Sequence, residues 1–198
     1  DIVGFVGVDN PTTNIDSKVL IVSITSFIYN DIRRRKNMEM LRQLSYFDSL
    51  TNAYNRNAYF SELERLEEEG KGTLGIAYID VNGLKRVNDT QGHKAGDRLI
   101  VSVADKLFRY LPGGKVYRTG GDEFIVFCKD ISESEFQTMI EHLQSSWDEQ
   151  SSAAIGYIWM DKIEQVESKV SAAEKMMYIG KRKFYERRGM DRRGDARR

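Results

Sequence analysis

The sequence is short of cysteine, of proline and of any charge imbalance. Its 198 residues hold one cysteine and two prolines, and 30 lysines and arginines balance 30 aspartates and glutamates. A lone cysteine, Cys128, excludes an internal disulfide. Its place at the end of the apolar run FIVF reads as a buried small hydrophobe rather than a reactive thiol, and a reducing, cytoplasmic setting fits it. Balanced charge removes any global reason to expect a polyanionic partner. The basic C-terminal stretch has no accompanying aromatic platform, so no nucleic-acid partner is expected. Long hydrophobic runs are missing too: the most apolar early stretch, VLIVSITSFIY, has roughly half the length a bilayer requires. No signal-peptide pattern precedes it, and no membrane segment is expected in this chain. There is neither an internal repeat nor a long low-complexity segment. What is present, 40% hydrophobic and 11% aromatic residues, suffices for one substantial core.

The chain opens without Met and in mid-pattern, so a longer protein is expected around it. Ile2–Val8 reads as a strand closed by DNPTT, and a long helix follows from Asp16 to about Leu44. That helix is apolar in its first half (Leu20, Ile24, Phe27, Ile28, Ile32) and polar in its second, as befits a connector or dimerisation helix. Beyond FDSLTNAYNRNAYF the pattern predicts a charged helix over SELERLEEEGK, a buried strand TLGIAYID and a loop with a short helical turn over VNGLKRVNDTQGHKAGD. A helix AGDRLIVSVADKLFRYL follows, stopped by Pro112-Gly113-Gly114. Next come strands KVYRT and FIVFCK around a tight turn, a helix over Ser132–Gln150, a strand SAAIGYIWM and a helix from about Glu164. This is an α+β, ferredoxin-like βαββαβ order: a mainly antiparallel sheet flanked by helices and preceded by a long N-terminal helix.

In that topology the two central strands lie side by side, so the end of AYID meets the turn in YRTGGDEFIVF. Asp80 is thereby expected near Asp122 and Glu123. Clustered carboxylates repel unless a cation sits among them, and a small set of hard oxygen ligands suits Mg²⁺, whose shell is completed by water and phosphate oxygens. Gly120 and Gly121 clear side chains from where a ligand approaches. Lys85, shortly after Asp80, supplies a point charge for phosphate. Each feature is common by itself; together they describe a phosphate-and-metal site.

RTGGDEF resembles the signature of the GGDEF diguanylate cyclase family, and YIDVNGLKRVNDTQGHKAGD resembles its nucleotide-binding segment. FDSLTNAYNRNAYF is similar to the family's opening motif and AAEKMMYIGKRK to its closing helix. The resemblance implies a nucleotidyl-cyclase-like domain over 46–185, after a remnant of a GAF-like sensory domain (1–13) and a signalling helix (14–45), with a basic tail at 186–198. The GAF resemblance rests on GFVGVDNP and the helix after it.

By position, the resemblance gives Asp80, Asp122 and the Val81 carbonyl as metal ligands. Asp122 also matches the proposed proton acceptor, Lys85 the residue stabilising charge on the reacting phosphates, and Glu123 an assisting group. Asn88 and Asp97 match the pair that reads guanine, with His93 in the same segment. Lys181 matches a phosphate-contacting lysine. The implied reaction condenses two GTP, one per subunit of a homodimer, into cyclic di-GMP with release of two pyrophosphates. Mg²⁺ is the expected cofactor, with Mn²⁺ as an alternative. The competing reading is a catalytically silent domain that binds GTP or cyclic di-GMP as a signalling module; the intact GGDEF argues against it.

Four positions depart from the family pattern. Asn52-Ala53 replaces Gly-Leu, Leu84 replaces an aromatic, and Tyr185 stands where an arginine often contacts phosphate. The Arg-x-x-Asp inhibitory pair upstream of the signature is missing, with Arg109 out of register, so product feedback through it is not expected.

Overall fold

The structure, a computed structural model, describes residues 17–148 and 151–187. The expected strand at Ile2–Val8, the GAF-like stretch and the tail beyond Arg187 lie outside the described residues. The chain divides between Leu44 and Ser45 into two compact units. Helix α1 (Ser17–Tyr46) forms the described part of the first and ends just inside the second. Its apolar and polar residues segregate along its length rather than onto opposite faces. Val22, Ile24, Phe27, Ile28, Tyr29 and Ile32 are all exposed, Phe27 at 74%. Among the described residues no helix is long and apolar enough to cross a membrane.

The second unit begins with α2 (Arg56–Glu69), which starts well before the charged SELERLEEEGK run that sequence reading took as its extent. Asn55 is the reason: its side chain caps the helix, accepting from the Asn57 and Ala58 amides at 3.0 and 3.1 Å. Then come β1 (Leu74–Val81), α3 (Leu84–Gln91), α4 (His93–Tyr110), β2 (Lys115–Arg118), β3 (Glu123–Lys129), α5 (Glu133–Ser145), β4 (Ala153–Met160) and α6 (Val166–Arg187). Helix α5 opens on a capping box between Ser132 and Glu135. It stops short of the expected Gln150, because the Ser146 hydroxyl turns back on the Leu143 carbonyl and Lys106 holds the Ser146 carbonyl and Asp148.

The four strands lie in the order β2-β3-β1-β4, each pair antiparallel. Since β1 and β2 both oppose β3, they run parallel with β3 inserted between them, which is the split βαβ unit of a ferredoxin-like sheet. Side-chain alternation divides the core. Ala77, Ile79 and Val81 of β1 and Phe124 and Val126 of β3 pack with α4 and α5, through Leu99, Val103, Leu107, Phe136 and Ile140. Leu74, Ile76 and Tyr78 join Ile125 and Phe127 on the opposite face, under α2 and α6, with Leu63, Leu66, Val170 and Met177. Helices on both faces explain why β1 is buried along its whole length and reads as a nearly continuous apolar run.

Two glycines seat helices against this sheet. At Gly156 of β4 a Cβ would lie 2.0 Å from the Ala173 carbonyl oxygen and 2.3 Å from the Met177 nitrogen, so only glycine lets the α6 backbone come so close. At Gly75 it would meet the Phe136 ring at 2.5 Å. The first of these fixes the height of α6, whose last turns carry Lys181 and Tyr185.

Candidate active site

Period two along β1 puts Asp80 on the α6 face, one pleat beyond Tyr78. It faces Glu123 across the β1–β3 ladder, and the Val81 amide donates to the Asp122 carbonyl at 2.9 Å. The GGDEF turn is thus tied to the end of β1 by backbone register. Asp80 is 8% exposed, and Lys181 reaches from α6 to form an ion pair with its carboxylate. Burial pushes the Asp80 carboxyl up to about 6; Lys181 pulls it down through a hydrogen bond and its charge, while the charges of Asp122 and Glu123 add to the rise. Lys181 thus only partly offsets the burial of Asp80 and the charges of its acidic neighbours.

The two glycines of the turn differ in kind. A Cβ on Gly120 would stand 2.6 Å from a Glu123 carboxylate oxygen, so this glycine makes room for the acid. A Cβ on Gly121 would meet nothing within 4 Å, so the space there is open for a ligand. Arg118 holds the turn: one guanidinium nitrogen donates to the Gly121 carbonyl at 2.7 Å and the other to the Asp48 carboxylate at 3.0 and 3.2 Å. Burial opposes ionisation of Asp48, but hydrogen bonds from Thr51 and Arg118 together with the Arg118 charge outweigh it and hold the carboxyl below its ordinary range. Sequence reading assigned no role to Asp48 or Arg118. An acid in a polar loop before the sheet carries no local mark of an arginine 70 residues away.

From Asp80 the chain turns through Gly83 (φ +73) into α3. Lys85 is exposed on that helix, and Asn88, on its last turn, is partly buried. Gly92 (φ +82) then reverses the chain into α4, where His93 and Asp97 are exposed in the first turns. The two helices meet at Asn88 and Gly96: a Cβ on Gly96 would lie 2.0 Å from Asn88 Oδ1. That oxygen is buried without a hydrogen-bond partner, an acceptor awaiting a donor. Gly96 was not singled out from sequence, since a glycine inside a helical pattern signals only a cost in propensity.

The arrangement thus gathers Asp80, Asp122, Glu123 and Lys181 at the ends of the central strands, and Asn88, Gly96 and the neighbouring Asp97 where α3 meets α4. Among the described residues no three His, Cys, Asp or Glu side chains converge closely enough to enclose a metal on their own. The oxygen donors gathered there are the carboxylates of Asp80, Asp122 and Glu123 and nearby backbone carbonyls. The Lys181 ammonium group pairs with the Asp80 carboxylate. A hard divalent cation that keeps waters and shares phosphate oxygens fits such a sparse oxygen set.

A ferredoxin-like sheet carrying acids on the turn from its edge strand β2 into central β3, beside the end of central β1, defines the class, and comparison with known proteins supplies the family. The domain described as diguanylate cyclase, GGDEF domain, matches residues 45–187. The chain belongs to that family. The diguanylate cyclase DgcN of Escherichia coli K12 is 37% identical over 114 residues, covering 54% of this chain and 27% of DgcN. An uncharacterized membrane protein of Staphylococcus saprophyticus is 26% identical over 181 residues, covering 84% of this chain and 50% of that protein. The chain thus spans about half the length, or less, of these curated relatives. Among solved structures, the coiled coil and GGDEF domain of DgcB from Caulobacter crescentus, in complex with c-di-GMP, superposes with a TM-score of 0.71 at 27% identity. That match covers 83% of this chain and 95% of the DgcB chain.

Proposed function

We propose that this domain is an active diguanylate cyclase, condensing two GTP molecules into cyclic di-GMP with release of two pyrophosphates. The observation that carries the reading is the buried Asp80, level with Glu123, beside Asp122 and paired with Lys181. A protein that kept such a cluster for stability alone would hold it against its own repulsion. The likeness to the diguanylate cyclase DgcN supports the same reaction, and the likeness to the DgcB GGDEF domain, solved in complex with c-di-GMP, fits its product.

In this reading Asp80, Asp122 and the Val81 carbonyl hold Mg²⁺ or Mn²⁺, which when bound offsets phosphate charge and eases deprotonation of the attacking hydroxyl. Asp122 accepts the proton of the 3′-hydroxyl, with Glu123 assisting from the adjacent position. Lys85 and Lys181 would balance charge on the phosphates. Asn88 and Asp97 recognise guanine: a carboxylate accepts from its N1 and N2 donors and an amide serves the other edge. His93 belongs to the same segment, and the open space at Gly121 admits the nucleotide. Each domain holds one GTP, so the attack joins nucleotides held by two subunits, and the apolar first half of α1 suits it to bring the copies together. The cytoplasm, where GTP is abundant, is the compartment this chemistry calls for.

Incubation of the purified protein with GTP and Mg²⁺, followed by separation of the nucleotides, tests the proposal. Product is expected from the wild type and none from Asp122→Ala or Asp80→Ala. Ordinary turnover by either variant would sink the site assignment. Tight GTP binding with no turnover by the wild type would favour the silent-domain reading.

A further inference from the structure

The turn between β1 and α3 links the two halves of the proposed site, with the metal ligands Asp80 and Val81 before it and Lys85 and Asn88 after it. Three consecutive amides set its path. The Val81 amide donates to the Asp122 carbonyl and the Asn82 amide to the Ser152 carbonyl, each at 2.9 Å. Both partners are backbone atoms of neighbouring chain segments, and no side-chain substitution removes them. The Gly83 amide is different. It donates to the hydroxyl of Tyr185 at 3.2 Å, across 102 residues of sequence. Gly83 has φ +73 and no side-chain cap, so α3 begins from a left-handed residue whose amide is held from outside the turn.

Tyr185 is 7% exposed and lies one helical turn beyond Lys181 on α6. The last turns of α6 therefore grip the substrate loop twice: Lys181 on the Asp80 side chain and Tyr185 on the Gly83 backbone. Gly156 sets the distance from which they do so, by admitting the α6 backbone against β4.

Resting on the cyclase reading, we infer that Tyr185 is a positioning residue for the reaction: its hydroxyl fixes the Gly83 turn and so sets Lys85 relative to Asp80 and the Val81 carbonyl. The tyrosine then does not replace a phosphate-contacting arginine with a weaker ligand. It serves the same loop through the backbone. A shift of the turn would leave guanine recognition on α3 and α4 intact while misaligning the charge that faces the phosphates, and misalignment of about 1 Å is enough to slow a reaction severely.

Tyr185→Phe removes the hydroxyl and keeps the buried ring. In this variant the Gly83 amide should exchange with deuterium about tenfold or more faster, since a single hydrogen bond protects it. Amides of β1 and α6 should keep their rates. With GTP and Mg²⁺, kcat should fall about tenfold while GTP affinity stays within about twofold, the signature of lost alignment rather than lost binding. Tyr185→Arg should behave like Tyr185→Phe, because a guanidinium cannot accept from the Gly83 amide. Unchanged Gly83 exchange, or unchanged kcat with a raised KM, in Tyr185→Phe would overturn the inference while an active wild type left the cyclase reading standing. Higher activity in Tyr185→Arg would overturn it as well, by showing that the position works as a phosphate contact. A wild type that makes no cyclic product would overturn the cyclase reading and the inference with it.

Discussion

Lys181 on α6 and Asp80 at the end of β1 form an ion pair between residues 101 positions apart, close to the charges of Asp122 and Glu123. One ammonium does not neutralise three acids. The Asp80 carboxyl stays raised, at about 6 against an ordinary 3.8, because burial and its acidic neighbours outweigh the lysine.

This sets a sign for stability. A carboxyl whose pKa is higher in the folded state costs nothing below pH 3.8, and the cost is complete once pH exceeds about 6. The wild type should therefore lose stability relative to Asp80→Asn as pH rises from about 4 to 7, by up to about 3 kcal/mol. Urea denaturation of both proteins, free of metal and nucleotide, measures this. A stability gap that stays constant from pH 4 to 7 would contradict the electrostatic account of the site.

Asp48 should show the opposite dependence. Its carboxyl is held below the ordinary range by Thr51 and Arg118 against the effect of burial, so its contribution is present above pH 3.8 and is lost as pH falls through the lower folded value. Asp48→Asn should cost about 2 kcal/mol at pH 7, and the gap from wild type should close in strongly acid solution. Activity should fall too, because Arg118 also holds the Gly121 carbonyl of the GGDEF turn. A pH-independent gap would mean that the ion pair contributes nothing.

Gly96→Ala offers a test in which helix propensity and packing oppose each other. Alanine inside a helix is favoured over glycine by roughly 1 kcal/mol. Here the added methyl would stand 2.0 Å from Asn88 Oδ1 and 3.0 Å from a Leu84 methyl. The variant should bind GTP about tenfold or more weakly, since displacing the amide leaves guanine groups unpaired. Its preference for GTP over ATP should shrink, as it should in Asp97→Ala. Equal loss of affinity for the two nucleotides would remove Asn88 from base recognition.

Feedback by product is a further test. The turn that ends α4 runs through Leu111, Pro112, Gly113 (φ +80) and Gly114, closed by a hydrogen bond from the Gly114 amide to the Leu111 carbonyl at 3.0 Å. This stretch has no guanidinium fork to grip guanine or phosphate. Initial rates should stay constant as cyclic di-GMP is added, and strong inhibition that survives Arg109→Ala would reveal a feedback site elsewhere.

The sheet was legible because its patterns are local. The apolar run of β1, the glycine-rich turn between β2 and β3 and the α4 stop at Pro112-Gly113-Gly114 each announce themselves within a few residues. The meeting of Asp80 with the GGDEF turn followed from topology, since βαββαβ order makes the strands carrying them neighbours. What escaped were contacts between distant segments. The Asp48–Arg118 pair, the seat at Gly156 and the Gly83–Tyr185 bond each join residues that look ordinary in their own stretches. The start of α2 was misjudged because Asn55 reads equally well as a loop residue and as a cap. The flanking of the sheet by helices was expected, and the structure places them on both faces.

The most direct test of the central claim is to resolve the nucleotides formed by the purified protein from GTP and Mg²⁺ over a wide range of protein concentration. Cyclic di-GMP should appear with two pyrophosphates per molecule, at a rate per subunit that climbs with concentration as dimers form. GTP recovered intact at every concentration, by protein shown to be folded and to bind it, would contradict the account.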